Sequence, residues 1–195
     1  MKTDMILAGV GGQGILTIAT ILGRAALDEN LYIKQAEVHG MSQRGGDVQS
    51  NLRLSSAPIA SDLIGRGAAD MIVSLEPMEA LRYLEYLSPQ GWVITNTAPF
   101  VNIGNYPEEG KIAAALAALP RVVAFDMDAM AKEVASQRAS NIVLLGACSP
   151  MVEIEPEKIE RAIAVVFAAK GDKVVELNIK AFRAGREYAM SHINR

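Results

Sequence analysis

Met5-Ile6-Leu7-Ala8-Gly9-Val10-Gly11-Gly12-Gln13-Gly14-Ile15 is an apolar run, a glycine turn and the start of a helix-forming segment. The run from Met5 to Ala8 carries no polar side chain, the mark of a strand buried on both faces. Gly9, Gly11 and Gly14 make G-x-G-x-x-G, and Ile15 to Leu27 reads as a helix, so the motif sits in the strand–turn–helix context it requires. Glycines permit a tight turn and a close backbone approach, while the helix N-terminus offers free N–H groups and a positive dipole to an anion. Such a turn either binds a phosphate or dinucleotide or serves only for packing or as an interface; both readings stay open. The helix that follows is sided in an unusual way. Ile15, Leu16, Ile18, Ala19, Ile21 and Leu22 leave only Thr17 and Thr20 for water, so it is expected to be covered on more than one side, by its own core or by a partner subunit.

Leu31 to Glu37 alternates like a second strand, and Glu37 stands about 20 residues beyond the turn, where a dinucleotide site wants a ribose-binding acid. The next loop, Val38-His39-Gly40-Met41-Ser42-Gln43-Arg44-Gly45-Gly46, is too specialised for a plain adenosine pocket. Arg44 beside two glycines suits a phosphate or carboxylate, or else pairs with an internal acid such as Glu37 or Asp47. His39 stands alone, which favours a structural role. Val48 to Ser55 alternates strictly, like a strand with one wet face. It follows too soon for a crossover helix and is expected to lie antiparallel to a neighbour. Ser56 to Ala60 reads as a second short piece of the same excursion. Loops leaving the carboxyl ends of strands gather over one edge of an α/β sheet, so the two glycine loops are expected to share one surface.

Regular alternation then resumes. Ala69 to Ser74 is a strand, Pro77 to Tyr86 a helix and Gly91 to Asn96 a strand. Glu108 to Leu119 is an alanine-rich helix and Arg121 to Phe125 a strand, with Asp126 or Asp128 placed to cap a helix running to about Arg138. Ser140 can cap a helix to about Pro150. Pro156 opens another, with Ile159, Ala162, Ile163, Val166 and Phe167 on one face. The last helix, from about Lys173, carries two apolar stripes, which suggests contact beyond its own domain. The pattern predicts one domain over residues 1–195, a three-layer α/β/α sandwich with a mostly parallel, mixed sheet, a Rossmann-like start and a helical C-terminal third.

Composition narrows the function. Half of the 195 residues are hydrophobic and 21% are charged, which excludes disorder. A net charge of −3 gives no nucleic-acid footprint. No apolar run approaches the roughly 18 residues of a membrane span, and no signal-peptide architecture is present, so a cytoplasmic location is expected. The single cysteine, Cys148, falls among Leu144, Leu145 and Ala147 and reads as an inert core thiol. One Cys with His39 and His192 supplies neither an iron–sulfur cluster nor a structural zinc site, so no metal is expected on this chain. Any redox centre it serves must lie on another chain. No Ser-His-Asp order, paired carboxylates or Walker lysine stands out.

From the strand before Gly9 to the last helix, the chain resembles the gamma subunit, or fused domain, of 2-oxoacid:ferredoxin oxidoreductases. Gly9-Val10-Gly11-Gly12-Gln13-Gly14-Ile15 and the segment from Gln35 to Gly46 carry the resemblance. Ser140-Asn141 through Gly146, and Val174-Val175-Glu176-Leu177-Asn178, support it. Pyruvate and 2-oxoglutarate members usually read Ser-Tyr-Gly-Pro-Glu-x-Arg-Gly-Gly in the second loop. Here Arg44, Gly45 and Gly46 are kept, while His39 and Met41-Ser42 replace the Tyr and Pro-Glu. That form is similar to the beta subunit of the indolepyruvate branch, which moves the expected substrate to an aromatic 2-oxoacid.

The resemblance implies a divided enzyme. A large alpha subunit would carry thiamine diphosphate, Mg²⁺ and [4Fe–4S] clusters, oxidatively decarboxylate the 2-oxoacid, pass electrons to ferredoxin and hand the acyl group to coenzyme A. The candidate site residues are Gly9, Gly11, Gly12, Gln13, Gly14, His39, Gly40, Ser42, Gln43, Arg44, Gly45 and Gly46, together with Glu37 from the dinucleotide-type spacing. Gly11, Gly12 and Gly14 would present N–H groups, Arg44 would meet phosphate or carboxylate, and Gln13 and Gln43 would orient polar atoms. Nucleic-acid and membrane partners are not expected, and the apolar helix faces point to self-association when the partner is missing. A self-sufficient NAD(P)- or flavin-binding oxidoreductase and a purely structural scaffold subunit are the competing readings.

Overall fold

Strand β1 (Lys2–Val10) is buried from Thr3 onward, because it runs through the middle of a six-stranded sheet of order β2-β3-β1-β4-β5-β6. The remaining strands are β2 (Tyr32–His39), β3 (Asp47–Ser55), β4 (Ala69–Ser74), β5 (Leu87–Asn96) and β6 (Val122–Phe125). This computed structural model describes residues 1–39, 45–101 and 103–193. β1, β4, β5 and β6 are parallel; β3 lies antiparallel to β1, and β2 to β3. β2 and β1 therefore point the same way with β3 between them, as the short loop joining β2 to β3 demands.

Alternation along β1 feeds two cores. Met5 and Leu7 face a large one, built with α1 (Ile15–Leu27), α4 (Met127–Val134), α5 (Ser140–Cys148), α6 (Pro156–Phe167) and α7 (Asp172–Ile193). Ile6 and Ala8 face a smaller one under α2 (Pro77–Arg82) and α3 (Glu109–Ala117). The molecule is thus the expected α/β/α sandwich, thick on one side and thin on the other.

Several local expectations change. Ser56 to Ala60 forms no strand; Pro58 has no N–H to give a ladder. The chain instead folds back over β3. Ile64 N–H donates to Asn51 Oδ1 at 3.0 Å, and the Arg53 guanidinium reaches the carbonyls of Ser61 and Leu63. The face of β3 expected to be wet is therefore largely covered, and Asn51 is buried. The helix from Pro77 stops at Arg82, and a 3-10 turn, Leu84–Tyr86, completes the segment. Ser140 is the first residue of α5 rather than its cap, and its hydroxyl donates to Gln137 O. Asp126 caps α4 as expected, accepting from Ala129 N–H.

Much of the apolar excess on α1 and α7 packs inside the domain. α1 is covered by the sheet and by α5 and α6, leaving only Leu16 and Leu27 as large exposed apolar groups on it. Every residue of α5 is buried, so it needs apolar cover on all sides, and α7 supplies one of them. Gly146 and Gly185 allow these two helices to cross at backbone contact: a Cβ on Gly146 would lie 2.0 Å from Phe182 O, and one on Gly185 2.0 Å from Val143 O. α7 also packs on α6, α4 and β6, with Tyr188 against Phe125 and His192.

Candidate functional site at the carboxyl edge of the sheet

After β1 the chain turns to the thick side, and after β4 it turns to the thin side. The strand order reverses between them, and this is where α/β sheets open a crevice beyond the carboxyl ends of the strands. A cleft of ≈ 510 Å³ lies there, bordered by Gly12, Gly14, Leu75, Asn96, Phe100 and Arg138, among others.

The first glycine loop is built around Gln13. Its Oε1 accepts from Val10 N–H at 2.7 Å, and its Nε2 donates to Leu75 O at 3.3 Å across the reversal point. A Cβ on Gly9 would sit 2.9 Å from that Oε1, so Gly9 makes room for the fold-back. Gln13 is thus a brace between the β1 and β4 loops, with both ends of its amide used inside the fold.

The two glycine loops do share one surface, and they are bonded together. Gly11 N–H donates to Gly46 O at 2.8 Å, and Gly45 N–H to Gly11 O at 3.4 Å. Gly11 therefore has no N–H to present, which corrects one expected donor. Among the described residues the N–H groups of Gly12 and Gly14 have no hydrogen-bond partner. They border the cleft at φ of 101° and 90°, the left-handed region that glycine tolerates.

Glu37 is exposed on the edge strand β2. Because β3 stands between β2 and β1, it lies two strands from the first glycine loop, roughly 10 Å in sheet spacing. A Rossmann ribose acid would instead sit on the strand adjacent to β1. The backbone of His39 ends β2, while its side chain, like Gly40, Ser42, Gln43 and Arg44, lies outside the described residues.

Other residues complete the cleft without having been read from the sequence. Asn141, near the start of α5, donates from Nδ2 to Gly14 O at 3.2 Å, bringing the N-termini of α5 and α1 together. Asn96, buried at the end of β5, accepts from Met127 N–H and Ala98 N–H and donates to Asp128. Glu76 is fully buried: one oxygen caps α2 through Glu79 N–H at 2.8 Å, and the other accepts from Phe100 N–H and the Tyr106 hydroxyl. That one carboxylate ties the β4–α2 turn to the loop carrying the exposed Phe100, Val101 and Ile103. The run Ser74-Leu75-Glu76-Pro77 was the available signal, an acid directly before a helix-opening proline. Asn141 and Asn96 have no comparable local signal.

α2 and the residue after it bring Glu79, Arg82 and Tyr83 into electrostatic range of Asp47 at the start of β3. Arg82 holds the buried Glu79 in a bidentate pair at 2.7 and 3.1 Å, which raises the guanidinium pKa. Burial first, then the charges of Asp47 and Glu79, push the Tyr83 hydroxyl up to about 12. Burial likewise pushes the Cys148 thiol up to about 12. A fully buried thiol donating to Leu145 O does not fit cluster ligation.

A model of the pyruvate ferredoxin/flavodoxin oxidoreductase family matches residues 4–188. The chain is 36% identical to the indolepyruvate oxidoreductase subunit IorB of Archaeoglobus fulgidus, over 98% of this chain and 97% of that protein. It superposes on the gamma subunit of a keto/oxoacid ferredoxin oxidoreductase from Geobacter sulfurreducens with a TM-score of 0.69 at 26% identity, covering 97% of this chain and 99% of that one. A 2-oxoglutarate:ferredoxin oxidoreductase from Magnetococcus marinus, solved with 2-oxoglutarate, coenzyme A and succinyl-CoA bound, shares the fold with a TM-score of 0.76 at 21% identity. There the match covers 97% of this chain but 31% of the longer one.

Proposed function

The chain belongs to the pyruvate ferredoxin/flavodoxin oxidoreductase family, and from that premise we propose that it is the cluster-free subunit of an indolepyruvate-type 2-oxoacid:ferredoxin oxidoreductase. In that reaction the bond between the carboxylate and the oxo carbon breaks and CO₂ leaves. The acyl carbon bonds to the coenzyme A sulfur as the thiol gives up its proton to solvent, and the two electrons released go to ferredoxin. Thiamine diphosphate, Mg²⁺ and [4Fe–4S] clusters belong to the alpha partner in this reading. The buried Cys148 is in keeping with that division.

The observation that carries the reading is identity to indolepyruvate oxidoreductase subunits along nearly the whole chain. The cleft suggests what this subunit contributes. Open N–H groups of Gly12 and Gly14, the N-termini of α1 and α5, and Arg138 converge on a space suited to an anionic part of coenzyme A or the 2-oxoacid. Arg44, on the second glycine loop, would add a second guanidinium. The position of Glu37 weighs against a self-sufficient dinucleotide enzyme.

The test is an anaerobic assay of the complex purified from its own cells, following indolepyruvate- and coenzyme A-dependent reduction of ferredoxin. Arg138→Ala and Arg44→Ala are each expected to raise KM for coenzyme A or the 2-oxoacid roughly tenfold or more, the worth of a charge-assisted hydrogen bond, with the complex still intact by size exclusion. Unchanged kinetics in both variants would favour the scaffold reading. A lone inactive chain that retains a dinucleotide would overturn the proposal.

A further inference from the structure

We propose that a second cavity, on the far side of Arg138 and Asn141 from the cleft, is a binding subsite for a phosphate ester flanked by N–H donors, the chemistry of an adenine nucleotide. It encloses ≈ 350 Å³ between α1, α5 and α7, and its polar lining is Thr17, Ser136, Arg138, Asn141, Lys170 and Asn178. This goes beyond the reading of the cleft: Arg138 and Asn141 border both spaces, while Lys170, Asn178 and Phe167 belong to this cavity alone.

Two asparagines set the chemistry. Asn141 and Asn178 are 9% and 8% exposed. Asn141 Nδ2 donates to Gly14 O, and Asn178 Nδ2 to Val174 O at 2.8 Å. Bonding to a carbonyl fixes which end of each amide is NH₂, so the other end is an acceptor. Neither Oδ1 has a partner among the described residues, yet no sealed side-chain oxygen or nitrogen is left unsatisfied. Both oxygens are therefore open to solvent on residues that line the cavity, and an acceptor at its wall calls for an N–H from a ligand.

Charge supplies the second requirement. Among the described residues no acid lines the cavity, and neither Arg138 nor Lys170 makes an ion pair. Lys170 rests its ammonium 5.2 Å from the centroid of the Phe167 ring, and the first turn of α1 adds the positive end of a helix. Two unpaired cations, hydroxyls and a helix start suit a phosphate. Phe167, Val174 and Leu177 complete an apolar wall against which a flat base can lie. Inorganic phosphate would satisfy the cations and leave the asparagines unserved, whereas a phosphorylated adenosine satisfies both. Such a group reaches the protein either as free nucleotide or as the nucleotide end of coenzyme A.

Titration calorimetry of the full chain with ADP, coenzyme A and inorganic phosphate tests this. ADP or coenzyme A is expected to bind more tightly than phosphate. Lys170→Glu should weaken that binding about tenfold or more, Lys170→Arg should keep most of it, and Asn178→Leu should weaken it several-fold. Binding of both ligands with equal sensitivity to Lys170→Glu assigns the subsite to free nucleotide as well; binding of coenzyme A alone, with that sensitivity, assigns it to the larger cofactor. No binding of either at millimolar concentration, binding indifferent to Lys170→Glu, or phosphate binding as well as ADP with Asn178→Leu silent overturns the proposal. Because binding is read on this chain alone, failure here is separable from failure of the activity assay of the complex.

Discussion

Gly14 carries two demands that no other residue type meets together. Its φ of 90° is left-handed, and a Cβ would stand 2.7 Å from Asn141 Nδ2. Gly12 has a similar φ of 101° but open space where a Cβ would go. Alanine in the left-handed region costs about 1–2 kcal/mol, so Gly12→Ala should lower unfolding free energy by about that amount. Gly14→Ala should lose more, because the Asn141 amide must also give way and with it its bond to Gly14 O. Urea titration of the two variants checks the difference, and equal losses would mean that the Asn141 contact is soft. The glycine motif was legible in the sequence; which glycine touches Asn141, a contact that spans 127 positions, was not. Cys148 was read as an inert thiol, and its complete burial and raised pKa make a second expectation. It should react with a thiol reagent only as fast as the protein opens, so labelling within seconds in native buffer would contradict the core placement.

At the scale of elements, the crossing of α5 and α7 is the tightest point of the thick layer. Gly146→Ala and Gly185→Ala each force a methyl against backbone rather than against a flexible side chain. Overpacking of this kind costs about 1–3 kcal/mol, occasionally more. A comparably large fall in unfolding free energy, accompanied by faster exchange of α7 amides, is expected; a Tm within a degree of the parent would refute the close crossing. The helical period of α7 was plain, yet its two stripes looked like surplus because nothing local says that α5 will be buried all round. Glu76 offers a second test, since its carboxylate holds Phe100 and Tyr106. Glu76→Gln keeps an acceptor but places a donor among donors, so hydrogen exchange at the Phe100 amide should quicken while β4 stays protected. The strands at the sheet centre were readable from apolar runs. The limits of α2 and the absence of a strand at Ser56 to Ala60 were decided by packing.

For the whole molecule, the inserted pair β2–β3 is closed down by one ion-pair network. Arg53 grips the buried Asp4 through two bonds, at 2.8 and 2.9 Å, and reaches the return loop at Ser61 and Leu63. Burial alone would raise the Asp4 pKa, but the hydrogen bonds and charges of Arg53 and Lys2 outweigh it and hold the carboxyl below its usual value. A carboxylate lowered in this way stabilises the fold fully above its unfolded pKa of about 4, and the contribution is lost as pH falls through the folded value. The urea midpoint of the parent should therefore fall more steeply below about pH 4 than that of Asp4→Asn, which should be less stable at neutral pH. Parallel acid limbs would show that Asp4 carries no such linkage.

The sequence by itself determined the class of architecture, the order of the main strands and helices, the glycine turn at the sheet edge and the antiparallel excursion after β2. These rest on period, glycine placement and loop length, which are local properties. Only the tertiary structure decided that β3 separates Glu37 from the glycine turn, that Gln13 braces two loops, and that Asn141, Asn96 and Arg138 meet at the same cleft. Those contacts join residues far apart in the chain, and their geometry follows from how the layers pack rather than from any pattern a neighbouring residue could reveal.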